Sequence, residues 1–217
     1  MDYRREEIVN KCAIFLTTAT AYCCLRSVTS KLNFMKTFAL FPIVLSLFVI
    51  SSTTEPMRID FGNKQDGQDW RPLLDGVMGG LSQGRMTLNN NSLSFSGSVS
   101  LANNGGFSSM RSPFSAVDLS AYETLVIRAR GEGQSFAIVL ENDRRWYNPY
   151  FKKAFQPTEE WQTFEIPLAE FDLYQIGRKI GSVPTEEALA ATIRLGIVTN
   201  DKKEGPFSLE VDFMEFR

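Results

Sequence analysis

The chain has 217 residues, of which 43% are hydrophobic, 12% aromatic and 22% charged, and its formal net charge is −2. That is the composition of a folded protein rather than a disordered one. The length allows one domain or at most two, and there is no basic field to hold a nucleic-acid backbone. No histidine is present, which excludes Ser-His-Asp and Cys-His catalysis, His-ligated zinc and an imidazole base at neutral pH.

In chain order, the first feature is a targeting signal over residues 35–54. Lys36 forms a short basic region, Phe38 to Ile50 is an apolar run, and Ser51-Ser52-Thr53-Thr54 supplies small residues for cleavage. The run suits a secretory signal and is short for a membrane-spanning helix, which needs about 20 residues. Met35 then reads as the initiator and residues 1–34 as an upstream extension, not structured or not translated. The alternative is a membrane anchor that pairs this run with the apolar patch from Cys12 to Leu25. All three cysteines, Cys12, Cys23 and Cys24, precede Met35. The remainder, 56–217, is therefore expected to be a single domain held by core packing alone, without disulfide, thiolate nucleophile or thiolate metal site.

The next landmark is Asp75-Gly76-Val77-Met78-Gly79-Gly80-Leu81-Ser82. Glycines at this density mean a sharp turn or a close approach. Two readings stand side by side: a tight connection with Met78 plugged into the core, or a recognition loop on a rigid scaffold. Asp75 either accepts backbone N–H bonds to hold its own loop or contacts a ligand.

From Met57 onward the dominant period is two. Leu93, Phe95, Val99 and Leu101 alternate with serines, and Leu125, Ile127 and Ala129 with Val126, Arg128 and Arg130. The pattern continues through Phe136, Ile138 and Leu140, then Ile193, Leu195 and Ile197, and closes with Phe207, Leu209, Val211 and Phe213. Each run predicts a half-buried antiparallel strand. Asn89-Asn90-Asn91, Asn103 to Gly106, Gly131-Glu132-Gly133 and Asp201 to Pro206 punctuate them, Gly131 to Gly133 as a hairpin turn. Helical patterning is scarce, and its best candidates are Leu168 to Phe171 and Thr185 to Ala190, with Thr185 as cap. Many short strands with few helices predict an all-β sandwich or jelly roll.

No P-loop, dinucleotide fingerprint or nucleophile elbow is present. Asn63, Asp66 and Asp69 around Gly67 lack the spacing of a calcium loop. Asn90-Asn91-Ser92 is a glycosylation sequon. Glu165, Glu170 and Asp172 lie close in sequence, but nothing sets two acids across a cleft for glycoside hydrolysis. Trp146-Tyr147-Asn148-Pro149-Tyr150-Phe151 offers rings that stack on sugars or anchor a protein, or that cover a sheet edge. Trp70 and Trp161, at strand starts, are expected in the core.

Several blocks together resemble the complex I intermediate-associated protein 30 family. They are Trp70 followed by Asp75 to Ser82, Phe95 to Leu101, Asn104-Gly105-Gly106-Phe107-Ser108-Ser109 with Arg111, Tyr122 to Gly133, Trp161 to Phe171, and Gly205 to Val211. The similarity covers nearly all of 57–217. It implies a galactose-binding-like jelly-roll β-sandwich and an assembly chaperone rather than an enzyme. With the secretory-type run, the expectation is a non-catalytic interaction module acting on an exported or envelope protein, without cofactor or metal. The alternative is a carbohydrate-binding module of the same fold. Asp75, Met78, Gly79, Gly80, Ser82, Asn104, Gly105, Gly106, Trp146 and Tyr150 are the candidate binding residues.

Overall fold

A computed structural model of the chain describes residues 54–217. The upstream extension, the signal over 35–54 up to residue 53 and all three cysteines lie outside the described residues.

Two antiparallel sheets pack face to face. The first runs β3 (Gln83–Leu88), β4 (Leu93–Val99), β13 (Gly205–Phe216), β6 (Thr124–Glu132), β9 (Gln162–Pro167), and β1 (Met57–Asp60) pairs with the last residues of β13. The second runs β11 (Arg178–Ser182), β10 (Asp172–Gln175), β8 (Tyr150–Phe155), β7 (Phe136–Glu141), β12 (Arg194–Thr199), β5 (Ser108–Arg111), β2 (Arg71–Leu74). The chain passes repeatedly from one sheet to the other, so consecutive strands often face each other across the core.

The period-two faces meet in that core. Phe95 and Phe207 from the first sheet touch at 4.9 Å, Phe136 from the second lies 6.1 Å from Phe207, and Phe155 stands 5.2 Å from Phe164. Phe61 and Trp70 pack edge to face at 5.2 Å. Each such side chain, fully removed from water, contributes about 1.5–3 kcal/mol. Short helices fall where the sequence placed them, with a 3-10 turn at Leu168–Glu170 and α1 at Glu186–Ala190. The Thr185 hydroxyl accepts the Ala188 N–H at 3.2 Å as the α1 cap. Among the described residues no helix is long and apolar enough to cross a membrane.

Five expectations need correction. Phe213 does not continue the inward face of β13, because the register shifts between Val211 and Phe213. The shift passes the core face to Met214 and Phe216, both fully buried. Phe213 turns outward under the Arg58 guanidinium, 3.7 Å from its ring centre. Leu101 lies beyond the end of β4 and is 41% exposed. Gly131 to Gly133 is not a hairpin turn, since β6 and β7 belong to different sheets and the turn carries the chain across. Trp161 stands on the outer face of the first sheet, 5.0 Å from both the Arg128 and the Arg130 guanidinium carbons. β7 is buried on both faces, Ala137 and Val139 included. On the outer side of the second sheet the Arg111 side chain lies across Gly196 and reaches Glu141 at 2.8 Å.

Candidate functional site

β2 ends at one edge of the second sheet and β3 begins at one edge of the first. The stretch between them must bridge the sandwich end, and a 3-10 turn at Asp75–Met78 does so. Gly79 closes it in the left-handed region, at φ 88°, where a Cβ would be strained. A second loop follows β4, with a short 3-10 turn at Ala102–Asn104.

Asp75 joins the two loops. Its side chain is completely buried. One carboxylate oxygen accepts the Ser82 N–H at 3.0 Å. The other accepts the Ser82 hydroxyl at 2.5 Å, the Gly106 N–H at 2.7 Å and the Phe107 N–H at 3.3 Å. Ser82 passes the link onward, its hydroxyl oxygen accepting the Ser100 N–H at 3.0 Å. The Asn103 amide donates to the Gly79 carbonyl at 3.2 Å. Burial alone would raise the Asp75 carboxyl, but the Ser82 hydroxyl and the backbone donors outweigh it and hold the group below the ordinary carboxylate value.

The glycines follow from that carboxylate. A Cβ on Gly80 would collide with the Asp75 carboxyl carbon, and one on Gly105 would fall 2.6 Å from Asp75 Oδ2 and 2.7 Å from the Ser100 carbonyl. Gly106 sits at φ 130°. Gly76, by contrast, has nothing within 4 Å of a built Cβ.

The same loops hold apolar side chains out to solvent. Val77 is 72% exposed, Met78 51% and Leu81 59%, with Leu101 on the neighbouring loop. Met78 is therefore not a core plug. Asp75 and Ser82 lie beneath the loop without surface to offer a ligand, while Met78, Gly79 and Asn104 lie on it. Val77, Leu81 and Leu101 are exposed apolar side chains of the same two loops. Sequence reasoning named Val77 and Leu81 only as members of the glycine-rich stretch and left both, with Leu101, out of the candidate set.

Trp146 and Tyr150 are elsewhere. Leu74 pairs with Ser108, Ser109 with Val198, and Thr199 with Phe136, so the Asp75 loop lies at the end where β7 begins. Trp146 follows the other end of β7, about 20 Å away for six residues at strand rise. Trp146 is 66% exposed, but its ring meets Tyr147 at 82°, so the two make no flat platform. Tyr150 is half-buried and stacked on Tyr174, with centroids 6.2 Å apart. Burial pushes the Tyr150 hydroxyl up.

The acids of the hydrolase reading do not converge. Glu165 pairs with Arg217, Glu170 with Lys153 and Asp172 with Lys179, at 2.9, 2.7 and 2.8 Å. Among the described residues no group of three or more Cys, Asp or Glu is placed to hold a metal.

The domain is a galactose-binding-like β-sandwich of two antiparallel sheets, a fold it shares with carbohydrate-binding modules. The family 11 carbohydrate-binding module of a cellulosomal cellulase of Clostridium thermocellum superposes with a TM-score of 0.56 at 13% identity, covering 76% of this chain and 95% of the module. The same family's module in complex with a mixed-linked tetrasaccharide gives 0.53, again at 13% identity, covering 76% of this chain and 96% of its own. The chain belongs to the Complex I intermediate-associated protein 30 family, whose model matches residues 59–211. The mitochondrial Complex I intermediate-associated protein 30 of Mus musculus is 28% identical over 178 residues, 71% of this chain and 53% of the mouse protein. That of Drosophila melanogaster is 31% identical over 107 residues, 45% of this chain and 35% of the fly protein. The chain thus spans about half the length of the mouse relative it matches and less of the fly one.

Proposed function

We propose that the domain is a non-catalytic protein-interaction module of the assembly-factor type, and that it docks a partner through the apolar tip formed by Val77, Met78 and Leu81 with Leu101. The carrying observation is the pairing of an exposed apolar patch with a loop that cannot relax, because a buried carboxylate fixes it from below. A patch of this kind marks an interaction surface, and methionine adapts to varied contacts. Family membership supports an assembly role, and the pairing of the candidate acids with cations supports a protein that is not an enzyme. The apolar run from Phe38 to Ile50 supports an exported or envelope partner, while the names of the mouse and fly relatives support a mitochondrial one. Fractionation of the host separates these locations.

The test is a photo-crosslinking residue at position 78, compared with one at Ile180, which is also exposed. A discrete adduct from position 78 that disappears when Leu81→Asp is added, with the melting temperature unchanged, is the expected result. A Val77→Asp/Met78→Asp variant that keeps every partner of the wild type would defeat the reading.

A further inference from the structure

The outer face of the first sheet carries a second arrangement that the apolar tip does not use. Strand register places Thr87, Ser94, Glu210 and Arg130 in one row across β3, β4, β13 and β6. Trp161 ends that row, because Ala129 pairs with Gln162 one step along. Arg128 follows on the same face of β6. Both guanidinium carbons lie 5.0 Å from the Trp161 ring centre, within cation–π range. The arginines are themselves fixed: Arg130 pairs with Glu210 at 2.9 Å and Arg128 with Asp212. The Ser92 hydroxyl donates to the second oxygen of Glu210 at 3.1 Å.

The indole so held forms a wall between two grooves. One, of about 580 Å³, is lined by Asn89, Asn90, Asn91 and Ser92 together with Arg130 and Glu210. The other, of about 320 Å³, runs past Asn63, Arg128 and Asp212. Trp161 and Asn91 line both. These sizes fall in the small-ligand range of roughly 300–1,000 Å³.

The chemistry restricts the occupant. Each arginine is matched by its own carboxylate, so no net charge draws a phosphate or other polyanion. The lining is amide, hydroxyl and paired ionic groups, and offers little aliphatic surface to an apolar peptide anchor. What remains is one aromatic surface surrounded by donors and acceptors. A sugar ring needs that combination: its C–H face packs on an indole while its hydroxyls bridge amides and ion pairs. Because the ring is already clamped, little side-chain freedom is lost on binding. We propose that the Trp161 groove binds a neutral oligosaccharide. The groove lies at the Leu88–Ser92 end of the β3–β4 hairpin, whereas the apolar tip leads into Gln83 at the other end. The two surfaces are therefore independent.

The experiment titrates the full chain by calorimetry and tryptophan fluorescence with cellohexaose, laminarihexaose, mannohexaose and chitohexaose, to about 10 mM, so that even millimolar affinity registers. A heparin hexasaccharide is the anionic control. The expected result is saturable binding of at least one neutral hexasaccharide. Trp161→Ala should weaken it about tenfold or more, and Asn91→Ala, an exposed change that spares the core, several-fold. Trp146→Ala and Val77→Asp should leave it unchanged. Absence of binding by all four neutral sugars overturns the proposal, as does equal affinity in Trp161→Ala. So does preference for the heparin fragment, or a photo-crosslinker at Asn91 that captures a protein in place of a glycan. Loss of the apolar-tip partner in Val77→Asp/Met78→Asp has no bearing on these readouts, so the two proposals fail separately.

Discussion

Asp75 is surrounded by donors alone. Replacing it with asparagine keeps the shape but turns one oxygen into a donor facing the Ser82, Gly106 or Phe107 N–H. Leaving a buried donor without an acceptor costs about 1–3 kcal/mol, and urea unfolding of Asp75→Asn should show a loss of that size. The carboxyl is held below its ordinary value of 3.8 in the folded chain. Its contribution is therefore fully present above that value and is lost as pH falls through the lower folded one. Melting curves of wild type and Asp75→Asn should differ at neutral pH and draw together in acid, as the pH falls below the ordinary carboxylate value and through the lower folded one; a constant gap across that range would mean that the carboxylate's charge is not what holds the loops. The glycines provide a matched pair. Gly80→Ala should lose about 1–3 kcal/mol, as overpacking does, while Gly76→Ala should stay within about 0.5 kcal/mol. Equal effects would mean that the Gly80 loop can move aside. The sequence showed that this stretch needed a turn or a close approach, and both occur within it. It could not show which glycine served which need, because the carboxylate that decides the matter meets Gly105 and Gly106 only after folding.

At the scale of strands, the period-two pattern located the core faces of β4, β6, β7, β12 and most of β13, since alternation is a property of the chain itself. It failed at Phe213 because one inserted residue reverses every later side chain. Asp212 occupies that step, its carbonyl accepting the Phe61 and Gly62 N–H groups and its carboxylate pairing with Arg128. Inserting an alanine between Phe213 and Met214 would drive Met214 and Phe216 out of the core. A chain without cooperative unfolding is the expected outcome. An insertion variant that melted like wild type would show that the register can slip harmlessly. The Gly131–Gly133 turn was misread for a related reason. Turn residues announce that the chain reverses or bends, but the sheet that receives the next strand is chosen by packing. Trp161 fell outside the core likewise because its place depends on the partners of Arg128 and Arg130, which are distant in sequence.

Across the molecule, the candidate residues drawn from the sequence resolve into two locations. The Asp75 loop and the 104–106 loop meet at one end of the sandwich, and Trp146 with Tyr150 lies at the other. Only strand register could separate them, and register is not written in composition. The apolar tip was legible in outline from Val77 and Met78. Leu81 and Leu101 joined it through the buried staple, and the Trp161 groove was built from β6, β9, β13 and the Asn89–Asn91 turn together.

β1 lies against the final residues of β13, with Met57 opposite Phe216 and Arg58 opposite Glu215. A pull applied through the two ends of the domain therefore acts at one end of a single antiparallel pair and across its hydrogen bonds. It would open them one rung after another instead of shearing them all together. The sandwich is mechanically soft along that axis, and under tension β1 would peel away first and loosen the Asn63 side of the Trp161 groove, while the tip, held by the Asp75 staple at the other end of β3 and β4, kept its shape.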